Sequence, residues 1–415
     1  MASVNTMGFN QLATVLNSIV SQATGQAQIT AADETQFISV AQVGLKTGYD
    51  PLMTAVSQVL SKTIFSVRPY QAKFRGLQAD SIRYGNHVRK LTAIDKAWEE
   101  DDRIKLIQGY SIDQYVVNKP EVLQTNFYGE NVYQKSLTIY RDQLDCAFSS
   151  SAEFGQFIAM IMQNAADMIE QAREETARNT VANLIAGCVY QDANSITTGR
   201  VINLLEVYED QTGVSLTSQT VQDPQYFAPF ARWLFGYLKT LSDKMAERSV
   251  LFHQSYTDTN TVKHDILRHT PLSKQKCYLY SPLLNDISAN VLSTVFYDKY
   301  LKLMDHEDVT YFQSILSPME IKCKPSVTSA GLTPVDMSAA SALDINNVFG
   351  VIFDEEAAGY TQVNEWSASS PFNAKGGYTN IFWHFTLRYW NDFTENAVVL
   401  LLQNDAETEA GGGES

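Results

Sequence analysis

No stretch of this 415-residue sequence approaches the roughly 18 consecutive apolar residues that a bilayer span needs, so no membrane-spanning helix is expected. The opening residues Met1-Ala2-Ser3-Val4-Asn5 lack a basic segment followed by an apolar one, and no secretion signal is expected either. Basic residues are in the minority, 31 Lys and Arg against 46 Asp and Glu, for a net charge of −15. Sequence-independent gripping of nucleic acid needs clustered Lys and Arg to displace counterions, which this balance disfavours. It leaves room for a protein that surrounds DNA without gripping it, and it favours solubility before assembly. Cysteine is scarce. Cys146, Cys188, Cys277 and Cys323 lie too far apart for a C-x-x-C pair, and four reduced, mostly buried thiols are expected.

Signatures of catalysis are missing as well. The six histidines are His87, His253, His264, His269, His306 and His384. His264 and His269 are five apart, which misses the i,i+4 pairing of an H-E-x-x-H zinc site, and no E-x-x-H pair supports a di-iron bundle. G-x-S-x-G, G-x-x-x-x-G-K-[ST] and G-x-G-x-x-G do not occur. Lys375-Gly376-Gly377-Tyr378 precedes a strand rather than opening a helix, so it reads as a turn and not a phosphate loop. The acidic run Glu99-Glu100-Asp101-Asp102 lacks the alternating ligand spacing of a calcium loop and reads as a solvated tip. Aromatics are plentiful, 21 Tyr and 20 Phe, and suit core and interface filling. Stacking on bases would need adjacent basic residues, and Arg388 with Tyr389 is too little. No catalytic, cofactor-binding or metal-binding residue is assigned, no cofactor is expected, and the chain is expected not to be an enzyme. A repeat of fixed period is also absent.

What the chain does carry is a succession of elements that cannot bury their apolar faces alone. Residues 1–66 read as three short helices. Leu12, Val15, Leu16, Ile19 and Val20 mark the first, which Gly25 ends. Phe37, Val40 and Ala41 mark the second, beginning near Ala31. Val56, Val59, Leu60 and Ile64 mark the third, opened by Asp50-Pro51. Each has one apolar stripe and needs a partner surface. Over 67–145, the segments Ser81–Leu91 and Val132–Tyr140 carry β-formers and predict a long two-stranded excursion.

A rod follows. Ser150 and Glu153 form a capping box. Phe154, Phe157, Ile158, Ile161, Ala165, Met168, Ile169, Ala172, Ala177, Val181, Leu184 and Ile185 then recur at steps of three and four, and Gly187 is a suitable stop. The pattern predicts a helix over 151–186, roughly 54 Å long at ~1.5 Å per residue. Its opposite face carries Gln163, Asp167, Glu170, Arg173, Glu174 and Arg178, so it should lie across a sheet or a groove rather than inside a bundle. Residues 201–208 could be a short strand or helix.

A second helix is expected over about 224–249, with Phe227, Phe230, Leu234, Leu238, Leu241 and Met245 as its stripe. Val250–His253 and Lys276–Tyr280 read as short strands, Leu283–Tyr300 as a helix, and Val348–Asp354 as a strand, so 225–365 reads as a compact α+β domain. Ile381–Trp390 alternates with period two, Asn391–Asn396 turns, and Ala397–Leu402 is fully apolar; the two runs are expected to form a hairpin. The tail Ala406–Ser415 is low-complexity and is expected to be flexible.

This order of elements resembles the tailed-bacteriophage major capsid family, especially its short-tailed-phage members. The segments that carry the likeness are Glu153–Ile158 opening the rod, Cys277–Tyr300, and Ser367–Leu402 with its aromatic strand. The resemblance covers about residues 1–403. It implies an α+β fold of that family: an N-terminal arm (1–66), an extended β-hairpin E-loop with flanking P-domain strands (67–145), and a P-domain (146–224) with its spine helix. It further implies a compact A-domain (225–365), return strands of the P-domain (366–403) and a flexible tail (404–415).

By the same resemblance the chain would self-assemble into hexamers and pentamers of an icosahedral shell around double-stranded DNA, made in a bacterial cytoplasm and resident in the virion. The implied partners are its own copies, a separate scaffolding protein, a portal and a possible decoration protein, with no membrane. No fused, cleaved scaffold and no C-terminal immunoglobulin-like domain are expected. The alternatives are an encapsulin-like nanocompartment shell, another virion protein such as a portal or tail subunit, and an enzyme whose site is built from distant residues.

Overall fold

The computed structural model describes residues 9–24, 34–47, 51, 55, 73–79, 87–93, 100–105, 107–109, 111–112, 115, 117, 122–147, 150–194, 199–257, 263–264, 266–287, 306–327, 329–330, 337 and 340–403. Most of the third expected helix lies outside the described residues, as do Ser81–Asn86, Glu99, residues 288–300 and the tail from Asn404.

The helices are α1 (Phe9–Thr24), α2 (Glu34–Thr47), α3 (Arg141–Ala147), α4 (Ser151–Ala193), α5 (Leu204–Thr212), α6 (Pro224–Ala246) and α7 (Ser281–Ile287). The strands through the first half are β1 (Val88–Ala93), β2 (Val122–Phe127), β3 (Gly129–Tyr140), β4 (Val201–Asn203), β5 (Tyr256–Thr257), β6 (Lys263–His264) and β7 (Gln275–Tyr280). The rest are β8 (Glu307–Val309), β9 (Ile321–Cys323), β10 (Ser329–Ala330), β11 (Leu343–Ile345), β12 (Val348–Asp354), β13 (Ala358–Ser369), β14 (Tyr378–Asn391) and β15 (Ala397–Leu401).

The rod α4 organises the chain. The Ser150 hydroxyl accepts from the Glu153 amide at 3.2 Å, closing the first turn as its sequence predicts. The helix then runs 43 residues, about 65 Å, past the expected stop at Gly187. Gly187 serves packing rather than termination: a Cβ there would sit 2.3 Å from the Phe393 ring. Asn194 ends the helix instead, its side-chain amide donating to the Tyr190 carbonyl at 2.7 Å.

The polar face of the rod is largely covered between Ile169 and Cys188. Glu170, Arg173, Glu174 and Arg178 are all buried. Arg173 pairs with Glu170 at 2.8 Å and Arg178 with Glu174 at 2.6 Å. Arg178 also donates to the Tyr311 carbonyl and lies 3.8 Å over the Tyr311 ring. Buried charges need such partners, and one turn of spacing supplies them. Between Ile169 and Cys188 only Gln171, Glu175 and Asn179 stay exposed, one narrow line along the rod.

Two larger sheets pack on α4, and the two-stranded β11–β9 sheet adds Ile321 and Ile345 to the same core. One is β13–β14–β3, antiparallel throughout, with the register Tyr378↔Tyr140 to Tyr389↔Gly129 on one side of β14. Its inner face joins the first half of α4 and the helices α1 and α2 in one core, with Leu16, Ile19, Val20, Phe37, Phe154, Ile381 and Leu387 at its centre. The N-terminal helices therefore seat on the chain's own rod.

The other sheet has the order β4–β15–β12–β7–β8. Ala397, Val399 and Leu401 of β15 face the second half of α4, and Val398 and Leu400 face α6. Cover on both faces explains why β15 and β12 are apolar without alternation. The α6 stripe from Phe227 to Met245 is buried as its spacing predicts.

Three sequence expectations are corrected. First, Val132–Tyr140 does not pair with the strand before it. β1 pairs with β2 (Val88↔Phe127 to Ala93↔Val122), while β3 goes to β14, because Tyr133, Leu137 and Ile139 belong to the core on α4. Second, β14 and β15 form no hairpin: β14 has β13 and β3 on its two edges, and β15 has β12 and β4 on its own. Third, Val250–His253 is no strand, since Phe252 sits at φ 69°, outside the β region. The 225–365 unit is also not closed by itself. It borrows β4 and β15 to complete its sheet, and β13 runs on to Ser369. Residues 201–208 turn out to be both readings, strand β4 and then α5.

Candidate assembly surfaces

The turn between β14 and β15 (Asn391–Asn396) passes from one sheet to the other, and polar groups from five parts of the chain converge on it. From α4, Asn183 donates to Asn391 Oδ1 at 2.8 Å, and Asn391 in turn donates to the Thr180 carbonyl at 2.9 Å. Arg200, fully buried, donates to the carbonyls of Phe393, Glu395 and Ala397 at 3.3, 3.2 and 3.3 Å and to Gln191 at 2.5 Å. His253 lies 3.0 Å from Asn396 Oδ1 and 2.6 Å from the Ile266 carbonyl. Burial lowers its pKa and favours the neutral ring. Thr394 donates its amide and hydroxyl to Asp392 Oδ1 at 2.9 and 2.6 Å.

Two cations answer the acids of this turn. Arg268 reaches Glu395 at 3.1 Å. Lys90, from strand β1, reaches Glu395 at 2.5 Å, Asp392 at 2.9 Å and Glu356 at 3.1 Å. Burial alone would lower the Lys90 pKa, but Asp392 and Glu395 more than offset it and hold the ammonium charged. Burial raises Glu395 despite Lys90 and Arg268. Burial would raise Asp392 too, yet Lys90 and the Thr394 hydrogen bonds hold it below the usual carboxylate range. The turn is thus a rigid hub, and it ties the β1–β2 ribbon to the body.

Beyond this base the ribbon displays large apolar side chains to solvent. Ile104, Ile107, Tyr115 and Val117 are each more than 70% exposed, and Leu91 and Val122 are more than half exposed. Soluble proteins that work alone rarely concentrate such groups on one excursion; a partner surface is the usual reason. Ile315 and Leu316 form a second exposed apolar tip, on the loop between β8 and β9.

The residues weighed for chemistry do not come together. His87 lies near Tyr128, His306 near Asp308 at 3.4 Å, and His384 stacks on Trp366 at 4.0 Å. Asp101 of the acidic run pairs with Arg103 at 2.5 Å on the surface. Gly377, at φ 66°, turns the chain into β14, with Asn373 Oδ1 accepting from the Lys375 and Gly376 amides. Arg388 is buried in β14 and presents no stacking face. Cys188 and Cys277 are buried, Cys323 is half-buried and Cys146 is exposed. Among the described residues no group of three or more His, Cys, Asp or Glu is placed to hold a metal, and no helix is long and apolar enough to cross a membrane.

The sequence profile of the Phi29-like phage major capsid protein family matches residues 16–401. The chain belongs to that family. This capsid protein is therefore a shell-forming subunit that works in many copies, and its place is the virion.

One solved structure supports the fold, and others show a weaker likeness. A protein in the structure of the head fiber and inner core protein gp22 of native bacteriophage P68 is similar at 11% identity, with 80% of this chain and 85% of that chain covered and a TM-score of 0.50. A chain from the capsid structure of Staphylococcus phage Andhra is similar at 9% identity, covering 82% and 86% at a TM-score of 0.49. A chain of the mature capsid of bacteriophage PhiM1 is similar at 10% identity, covering 81% and 88% at 0.43. At 11% identity the first likeness concerns the fold alone. A search of curated proteins finds no match.

The sequence reading missed the hub. Its signal was an Asn-Asp-Phe-Thr-Glu-Asn turn set directly against a fully apolar strand, which places two carboxylates where they need buried cations.

Proposed function

We propose that this capsid protein assembles into hexamers and pentamers of a closed icosahedral shell that holds double-stranded DNA, and that it performs no catalysis. The family match over residues 16–401 is the observation that carries the proposal. Physics supports it in two ways. The exposed apolar side chains of the ribbon suit an obligate interface, which characteristically buries more than roughly 2,000 Å². The net charge of −15 suits a wall that contains DNA rather than one that grips it.

In this reading residues 1–66 are the arm, whose helices α1 and α2 seat on α4. The ribbon β1–β2 is the E-loop, and α4 with β13, β14 and β3 is the P-domain. The five-stranded sheet with α6 is the A-domain. A separate scaffolding protein and a portal complete the assembly.

Nuclease treatment of purified particles tests the content of the shell. Double-stranded DNA protected from digestion and released on disrupting the particle is the expected result. Particles that hold a folded enzyme and no DNA would make the chain a nanocompartment shell instead.

A further inference from the structure

The ribbon meets the body across a gap. A groove of about 860 Å³ runs beneath β1, lined by Val88, Arg89 and Leu91 on the ribbon side and by Gly76, Lys276 and Trp390 on the body side. Apolar burial does not seat this strand, since Leu91 is 58% exposed. Among the described residues, the contacts that join the ribbon's base to the body include the short pairing of β2 with β10 at Phe127 and Asn126, and the ion pairs of Lys90.

Lys90 stands only two residues into β1, yet its ammonium reaches a turn 302 residues away in the sequence. It offers three donors, and three carboxylates answer them. Asp392 and Glu395 are almost fully buried in the rigid turn, while Glu356, on the turn between β12 and β13, is about half exposed. A compact charge on a four-carbon stem keeps its attraction through a range of angles. Close-packed apolar side chains do not, because they fit in one geometry. A strong link that tolerates rotation, set over an open groove, is a pivot.

We infer that Lys90 is a positioning residue for assembly: it sets the angle at which the ribbon leaves the body and keeps the ribbon tethered to the hub as it tilts over the groove. A shell that contains both hexamers and pentamers asks one chain to meet its neighbours at two ring angles, and a tethered pivot serves that need. The inference rests on the shell reading given under the proposed function.

The test combines hydrogen exchange on the soluble chain with microscopy of its assemblies. Two variants are compared with the wild type. Lys90→Met removes the ammonium. Lys90→Met with Asp392→Asn and Glu395→Gln removes the ammonium and the acids together, so that no buried carboxylate is left without a cation. The amides of 88–93 and 122–127 should exchange roughly tenfold faster or more, with 397–401 unchanged. Closed shells should give way to open or misshapen ones, and Lys90→Arg should recover both properties in part. Wild-type exchange in the ribbon of the triple variant, or normal closed shells from both variants, would overturn the inference. If Lys90→Met also loses protection at 397–401, it has damaged the fold, and the triple variant decides. If the wild type itself forms no shells, the shell reading fails, while ribbon exchange in the soluble chain still decides the pivot.

Discussion

Replacing Ile107 and Val117 together by aspartate leaves a folded, soluble capsid protein that forms no closed shells. Ile107 is 73% exposed and Val117 is 77% exposed, so the isolated fold gives up almost nothing when they change. In an assembled shell each apolar side chain contributes about 1.5–3 kcal/mol when buried against a neighbour. Two of them together amount to about 3–6 kcal/mol per contact, which is a hundredfold or more in affinity. Aspartate adds the cost of desolvating an unpaired carboxylate. Because every subunit carries the same defect, the loss repeats around the lattice. Sedimentation velocity and light scattering at matched concentration measure it, and shells at wild-type yield would show that the ribbon is not an interface.

The second large effect concerns stability. Arg200→Ala is expected to destabilise the fold by about 3–5 kcal/mol, comparable to a severe core truncation. The guanidinium is fully buried and satisfies three carbonyls of the hub as well as Gln191. Removing it takes the guanidinium donors from the Glu395 carbonyl and from Gln191 Oε1, at about 1 kcal/mol or more each, while the Phe393 carbonyl keeps the Gln254 amide. A cavity beside Phe393 adds to the loss. Lysine cannot substitute, because one ammonium cannot match the fork of donors that spans the turn. Denaturant titration measures the change, and a midpoint shift worth less than about 1 kcal/mol would contradict the role given to Arg200.

Local patterns proved legible in this sequence where burial is one-sided. The stripe of α6 from Phe227 to Met245, the alternation of β14 and the Ser150 cap each follow from periodicity or from one hydrogen bond. Pairing was harder, because a strand's partner depends on the third dimension. Val132–Tyr140 alternates equally well for a hairpin with β1 and for a place beside β14; the packing of Tyr133 on Phe385, rings 5.0 Å apart, decides for β14. Gly187 shows the same limit. A glycine late in a helical pattern reads as a stop, and only the nearness of Phe393, 206 residues on, shows that it is a point of close approach. The hub was illegible for a similar reason. Lys90, Arg200, Arg268, Asp392 and Glu395 are unremarkable in sequence, and they become one site only when both sheets have closed on α4.

That this chain builds a closed shell is tested most directly by electron microscopy of particles assembled from the expressed capsid protein. Closed icosahedral particles whose surface lattice resolves into hexamers and pentamers are the predicted result. Isolated rings, open tubes or monodisperse single subunits under the same conditions would contradict it.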